Sequence, residues 1–191
     1  SDLQNPSVPY RYSFDSTNFP SIPGSPIAYW ASTNFIRAYD QGALIRTFAE
    51  TRLGMATANN NRFTRFWYEV GIKKCNFYAK SREDALESGQ KWFPYNKGGE
   101  YRKWYGNNDI VVNWENDGFE IRNFKDERTG RIRSHNYNLN YIFKEGLTWT
   151  FVSSSRLGIR YFDNGFLFDV GGSSMFMNQN KLKYSLAFLA S

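Results

Sequence analysis

Cys75 and His135 are the chain's only cysteine and its only histidine. Together they could form a thiol–imidazole dyad, the ring drawing the proton from the sulfur. A lone cysteine is more often a small buried packing residue. A structural zinc site of the usual Cys/His type cannot be assembled from the pair. One cysteine also cannot close an internal disulfide, which suits a reducing compartment.

Group transfer to an exocyclic amine calls for an Asn-Pro-Pro-Tyr loop, whose amide and prolyl carbonyl accept from the amine. Asn5-Pro6-Ser7-Val8-Pro9-Tyr10 holds those residue types, but Ser7 and Val8 separate the prolines and forbid the compact loop. No glycine-rich turn leads from a strand into a helix as cofactor binding requires. The carboxylates are scattered over polar segments without a paired set. No catalytic residue, metal site or cofactor is therefore expected in this segment.

Three polar clusters suit binding instead. Asn59, Asn60 and Asn61, followed by Arg62, are poor helix and strand formers and suit a loop tip, where an asparagine can contact the edge of an adenine in bidentate fashion. A plain asparagine-rich turn explains them as well. In residues 91–105 basic groups interleave with aromatics around Gly98-Gly99, so that Lys97, Arg102 and Lys103 could hold phosphates. The competing reading is an aromatic core with its cations snorkelling outward. Ser153-Ser154-Ser155-Arg156, followed by Arg160, could take a phosphate or a guanine edge. A polar strand end accounts for the same residues without a ligand.

Composition favours a polyanionic partner. The 191 residues carry a formal charge of +6 with a pI near 9.4. Aromatics are 19% of the chain against 41% for all hydrophobics, which serves either a base-contacting surface or an aromatic core. No stretch approaches the roughly 18 apolar residues of a membrane span, and no signal-peptide pattern opens the chain. A soluble, cytoplasmic protein with no membrane partner is expected. The opening Ser1-Asp2 is expected for a chain processed or cut from a longer one.

These clusters need elements to position them. Residues 1–24, punctuated by Pro6, Pro9, Pro20 and Pro23, are expected to form an N-terminal linker, and residues 25–191 the domain. Ser25-Pro26 looks like a helix cap with proline at the first helical position, opening a helix that ends near Gly42. A strand is expected at 47–52, and strand formers are dense at 66–72. Ser81 and Asp84 form a capping pair for a short helix ending at Gly89. Residues 109–114 read as a buried strand, and 115–127 as a surface helix that Gly118 weakens. Asp163-Asn164-Gly165 is a hairpin signature between 156–162 and 166–170, with 147–152 as partner strand. Leu182, Leu186 and Leu189 mark one face of a C-terminal helix. The fold class expected is α+β, with a mainly antiparallel twisted sheet and flanking helices.

Several ordered strings then carry a resemblance. They include Ile22-Pro23-Gly24-Ser25-Pro26-Ile27-Ala28-Tyr29-Trp30, residues 54–67, Lys80-Ser81-Arg82-Glu83, residues 91–100 and Trp104-Tyr105-Gly106-Asn107. Val111-Val112-Asn113-Trp114-Glu115-Asn116 with Asp117-Gly118, residues 148–155 and residues 165–174 complete the set. In this order they resemble the PglX-type adenine methyltransferases of BREX phage-defence systems, over nearly the whole chain.

The resemblance implies that these segments follow a catalytic domain, which would bind S-adenosylmethionine and lie upstream. It implies a fold similar to the target-recognition domains of DNA methylases. Such a domain reads double-stranded DNA so that its catalytic partner can flip and methylate one adenine at N6. Asn59, Asn60, Asn61 and Arg62 become readers or positioners under this reading, and Lys97, Arg102, Lys103 and Arg156 become phosphate or base contacts. Shared strings such as 91–100 would serve backbone grip or docking onto the upstream methyltransferase domain. Two further readings stand beside it. One is a protein-interaction module that docks the methyltransferase to other BREX proteins. The other is a carbohydrate- or single-strand-binding domain on aromatic platforms, the carbohydrate version disfavoured by the lack of a secretion signal.

Overall fold

The computed structural model describes residues 15–154 and 156–191, leaving aside the side chains of Asn18, Phe19 and Ser21. The Asn5-to-Tyr10 string and most of the proposed linker lie outside the described residues. The chain divides into two compact units, Ser1–Thr47 and Phe48–Ser191.

In the first unit, α1 (Thr33–Gln41) starts seven residues later than Ser25-Pro26 suggested. The reason is local. Pro23-Gly24 sits at the centre of a turn closed by the Ser25 N–H donating to the Ile22 carbonyl at 2.9 Å, with φ of +86° at Gly24 and +46° at Ser25. Ser32 caps the helix instead, its hydroxyl accepting from the Phe35 N–H. The Gly42 N–H donates to the Ala38 carbonyl and ends it.

Along the second unit run β1 (Ala49–Arg52), α2 (Asn60–Phe63), β2 (Thr64–Phe66), α3 (Arg82–Glu87), β3 (Trp92–Asn96) and β4 (Ile110–Asn113). Then follow α4 (Glu115–Arg122), β5 (Gly146–Thr148), β6 (Arg160–Phe162), β7 (Leu167–Phe168), β8 (Ser174–Met177) and α5 (Gln179–Ala190). Among the described residues the strands form two four-stranded sheets, ordered β1-β8-β5-β6 and β2-β4-β3-β7. Only the β3–β7 ladder is parallel, so the fold is α+β and mainly antiparallel. Phe162 and Phe176 from one sheet and Phe93, Leu167 and Phe168 from the other share a single core. Phe176 meets Phe168 at 5.3 Å and Phe162 at 6.1 Å between ring centroids, so much of the aromatic content is consumed in packing.

Three expectations are corrected. Residues 66–72 leave the strand after Phe66 and make a helical turn at Trp67–Glu69, where Glu69 accepts from the Phe66 N–H at 2.7 Å. The surface helix stops at Arg122. Asn116, Asp117 and Gly118 take left-handed φ of +52°, +57° and +68°, which Asn, Asp and Gly tolerate best. A Cβ at Gly118 would lie 2.5 Å from the Trp114 ring. Finally, Asp163-Asn164-Gly165 turns the chain without making a hairpin ladder. β6 pairs with β5, whereas β7 pairs with β3 in the other sheet. Gly165, at φ +95°, abuts the Phe77 carbonyl so closely that no side chain fits there.

Candidate nucleic-acid interface

The asparagine cluster is not an open loop tip. Asn59 caps α2, its side-chain oxygen accepting from the Arg62 N–H at 3.1 Å. Asn60 Oδ1 accepts from the Thr57 hydroxyl at 2.8 Å, and the Asn61 carbonyl accepts from Arg65 at 2.6 Å. One capped turn overcomes the poor helix propensity of three asparagines. Asn60, Asn61 and Arg62 are exposed, and Asn59 is half-buried. Arg62 donates from Nε and Nη2 to Glu120 Oε1 at 3.0 and 2.6 Å and lies over the rings of Phe63 and Phe124.

Lys97 follows β3 and pairs with Asp169 at 3.4 Å. Asp169 is itself held by the Tyr95 hydroxyl at 2.8 Å and the Gly171 N–H at 2.6 Å. Burial and the Asp169 carboxylate push the Tyr95 phenol well above its ordinary pKa. The paired glycines interlock here. A Cβ at Gly98 would meet the Gly171 carbonyl at 2.6 Å, and one at Gly172 would overlap Asn96.

The other two clusters converge. The segment carrying Tyr101, Arg102 and Lys103 leads to Trp104, which bridges to the β6 edge of the first sheet. The Trp104 N–H donates to the Ile159 carbonyl at 3.0 Å, and the Tyr161 N–H to the Trp104 carbonyl at 2.8 Å. Gly158 makes this approach possible, since a Cβ there would lie 2.8 Å from the Arg102 carbonyl. Among the described residues no ion pair engages Arg102, Lys103 or Arg156. Between these segments lies a recess of about 290 Å³ whose wall includes Gly99, Tyr101, Thr150, Ser153, Arg156 and Arg160.

No protein-family model matches the chain. Over 191 residues, 99% of its length, it is 46% identical to the adenine-specific methyltransferase PglX of Lacticaseibacillus casei (strain Zhang). The chain is a segment of a PglX-type protein. Over 164 residues, 85% of its length, it is also 42% identical to the adenine-specific methyltransferase BrxX of Escherichia coli O9:H4 (strain HS). The segment spans only 16% of the first relative's length and 12% of the second's.

Arg160 is the residue of this PglX-type segment that the sequence undersold. It is 1% exposed, and its Nη1 donates to the Gly158 carbonyl at 3.1 Å. Its Nε has no hydrogen-bond partner, and among the described residues no carboxylate pairs with it. Burial pushes its pKa down. The signal was available in strand alternation, which puts residue 160 on the same face as the buried Phe162. A charge at an inward position of an apolar strand calls for an explanation.

The PglX-type segment also carries a second recess, of about 530 Å³, whose lining includes Trp67, Tyr78, Lys80, Tyr105, Asn108 and Asp163. Around it the Phe66 and Tyr68 rings stack 5.3 Å apart, and Tyr78 is 81% exposed. Cys75 and His135 have separate partners. The thiol lies against the Gly71 carbonyl, with its pKa raised by burial, and the imidazole stacks on Tyr137. Among the described residues no group of His, Cys, Asp or Glu could hold a metal ion, and no helix is long and apolar enough to cross a membrane. The glycine pairs are closed by packing and lead into no helix.

Proposed function

We propose that this segment is the DNA target-recognition part of a PglX-type protein. It reads a site in double-stranded DNA and presents it to an upstream N6-adenine methyltransferase domain, which binds S-adenosylmethionine, in cytoplasmic BREX phage defence. The observation that carries this reading is a recess lined by Arg156 and Arg160, beside the segment that carries Arg102 and Lys103, with none of the four in an ion pair among the described residues. Cations left unneutralised on a +6 chain are what a phosphate backbone requires. Asn60, Asn61 and Arg62 form a separate exposed group that reads or positions under the same proposal, with Lys97 in a supporting role through Asp169. The test is binding of duplex and matched single strand across a salt series. Duplex affinity falling roughly a thousandfold or more between 50 and 200 mM salt supports the reading. Weak binding without salt dependence overturns it.

A second reading has its own observation. The stacked Phe66–Tyr68 pair and the exposed Tyr78 form an aromatic surface suited to docking a protein, either the upstream domain or another BREX component. Loss of a partner on Tyr68→Ala, with duplex binding intact, would support it.

A further inference from the structure

We propose that the recess around Arg160 is a clamp for one backbone phosphodiester of duplex DNA, with Arg156 closing on the same group from the rim. The proposal deepens the target-recognition reading and rests on it.

Arg160 is a buried cation without a countercharge among the described residues, which a folded chain tolerates poorly unless an anion arrives from outside. Its guanidinium carries five N–H donors, and Nη1 alone is taken up by the Gly158 carbonyl at 3.1 Å, while Nε has no partner. Arg160 lines a recess together with Arg156, Tyr101, Thr150 and Ser153. Thr150 is held in place by its hydroxyl donating to the Gly99 carbonyl at 2.9 Å. The backbone of β6 is fixed on one side by β5 and on the other by Trp104, so the guanidinium is held before any ligand binds. A rigid, buried fork with a second, exposed arginine lining the same recess suits a doubly contacted phosphate better than a shape-variable base edge. About 290 Å³ admits the phosphodiester with its flanking sugar atoms.

The test uses the full-length protein and a target duplex in which single phosphates are replaced, one at a time, by neutral methylphosphonates. The wild type should lose about tenfold or more in affinity at one phosphate position. Arg160→Lys and Arg156→Gln should each lose a similar factor on the unmodified duplex, become insensitive to that one methylphosphonate, and show a salt slope shallower by about one. Arg156 is exposed, so its variant folds even if Arg160→Lys does not. If Arg156→Gln keeps wild-type affinity, slope and methylphosphonate profile, the clamp is overturned while the recognition reading stands. If the wild type fails to bind duplex at all, both fall. Variants that keep the DNA profile but lose a protein partner would assign the arginines to a carboxylate of that partner and overturn the phosphate clamp.

Discussion

Arg62 and Asn113 share one carboxylate: Glu120 accepts the Arg62 guanidinium through Oε1 and the Asn113 amide, at 2.8 Å, through Oε2. Asn113 ends the central strand β4 and Glu120 lies in α4, so the arginine is tied to the sheet through an acid. An arginine so held must exchange Glu120 for DNA before it can read a base. Arg62→Ala or Asn60→Ala should relax discrimination at one base pair by roughly 1–3 kcal/mol, read by sequencing methylated adenines. Glu120→Gln should raise duplex affinity by freeing the guanidinium. An unchanged methylation motif after both α2 substitutions would remove this cluster from readout.

Lys97 and Lys103, equivalent in sequence, are expected to separate in experiment. Lys103→Ala should weaken binding to all duplexes about equally and reduce the salt slope by about one. Lys97→Ala leaves Asp169 without its ammonium partner and should appear as a stability loss of about 1 kcal/mol with a smaller change in slope. Denaturant titration of both variants beside the binding series separates the two effects.

Much of the fold was legible where a signal is local. Ser81 caps α3 by accepting from the Asp84 N–H at 3.1 Å, and Leu182 is buried on the inner face of α5, as their spacing implied. Within residues 109–114, Ile110–Asn113 form a strand buried along most of its length, interior to its sheet. What escaped depended on distant partners. Nothing near Asp163-Asn164-Gly165 reveals that Leu167 pairs with Tyr95 across the core instead of folding back on β6. The left-handed run at Asn116, Asp117 and Gly118 is fixed partly by Arg82 and Arg122, both of which pair with Asp117. In the candidate site, Arg102 and Arg156 were identifiable as basic residues, but their approach through Gly158 was not. Arg160 is visible in sequence as a cation after Arg156, but its burial is a property of the sheet.

Gly165 tests the sheet-switching turn. Gly165→Ala places a side chain against the Phe77 carbonyl at a positive φ and should destabilise the second unit by about 2 kcal/mol or more. A midpoint within error of wild type would show that the turn can relax without cost.

Alkaline pH probes Tyr161, whose phenol is pushed up first by burial and then by its 3.0 Å hydrogen bond to Glu145. A tyrosine that holds its proton more tightly when folded contributes stability that is fully present below the unfolded pKa of about 10 and is lost as pH rises beyond it. Denaturant midpoints should therefore fall above about pH 10, and Tyr161→Phe should make that fall shallower. Identical alkaline profiles for variant and wild type would contradict the assignment.

The measurement that bears most directly on target recognition is an exchange of this segment between two PglX-type proteins that methylate different sequences. Methylated adenines are then mapped in cells carrying the active chimera. The motif should follow the segment, so that the chimera methylates the donor's sequence. A chimera that methylates its own original motif would contradict the account and leave the segment a docking module.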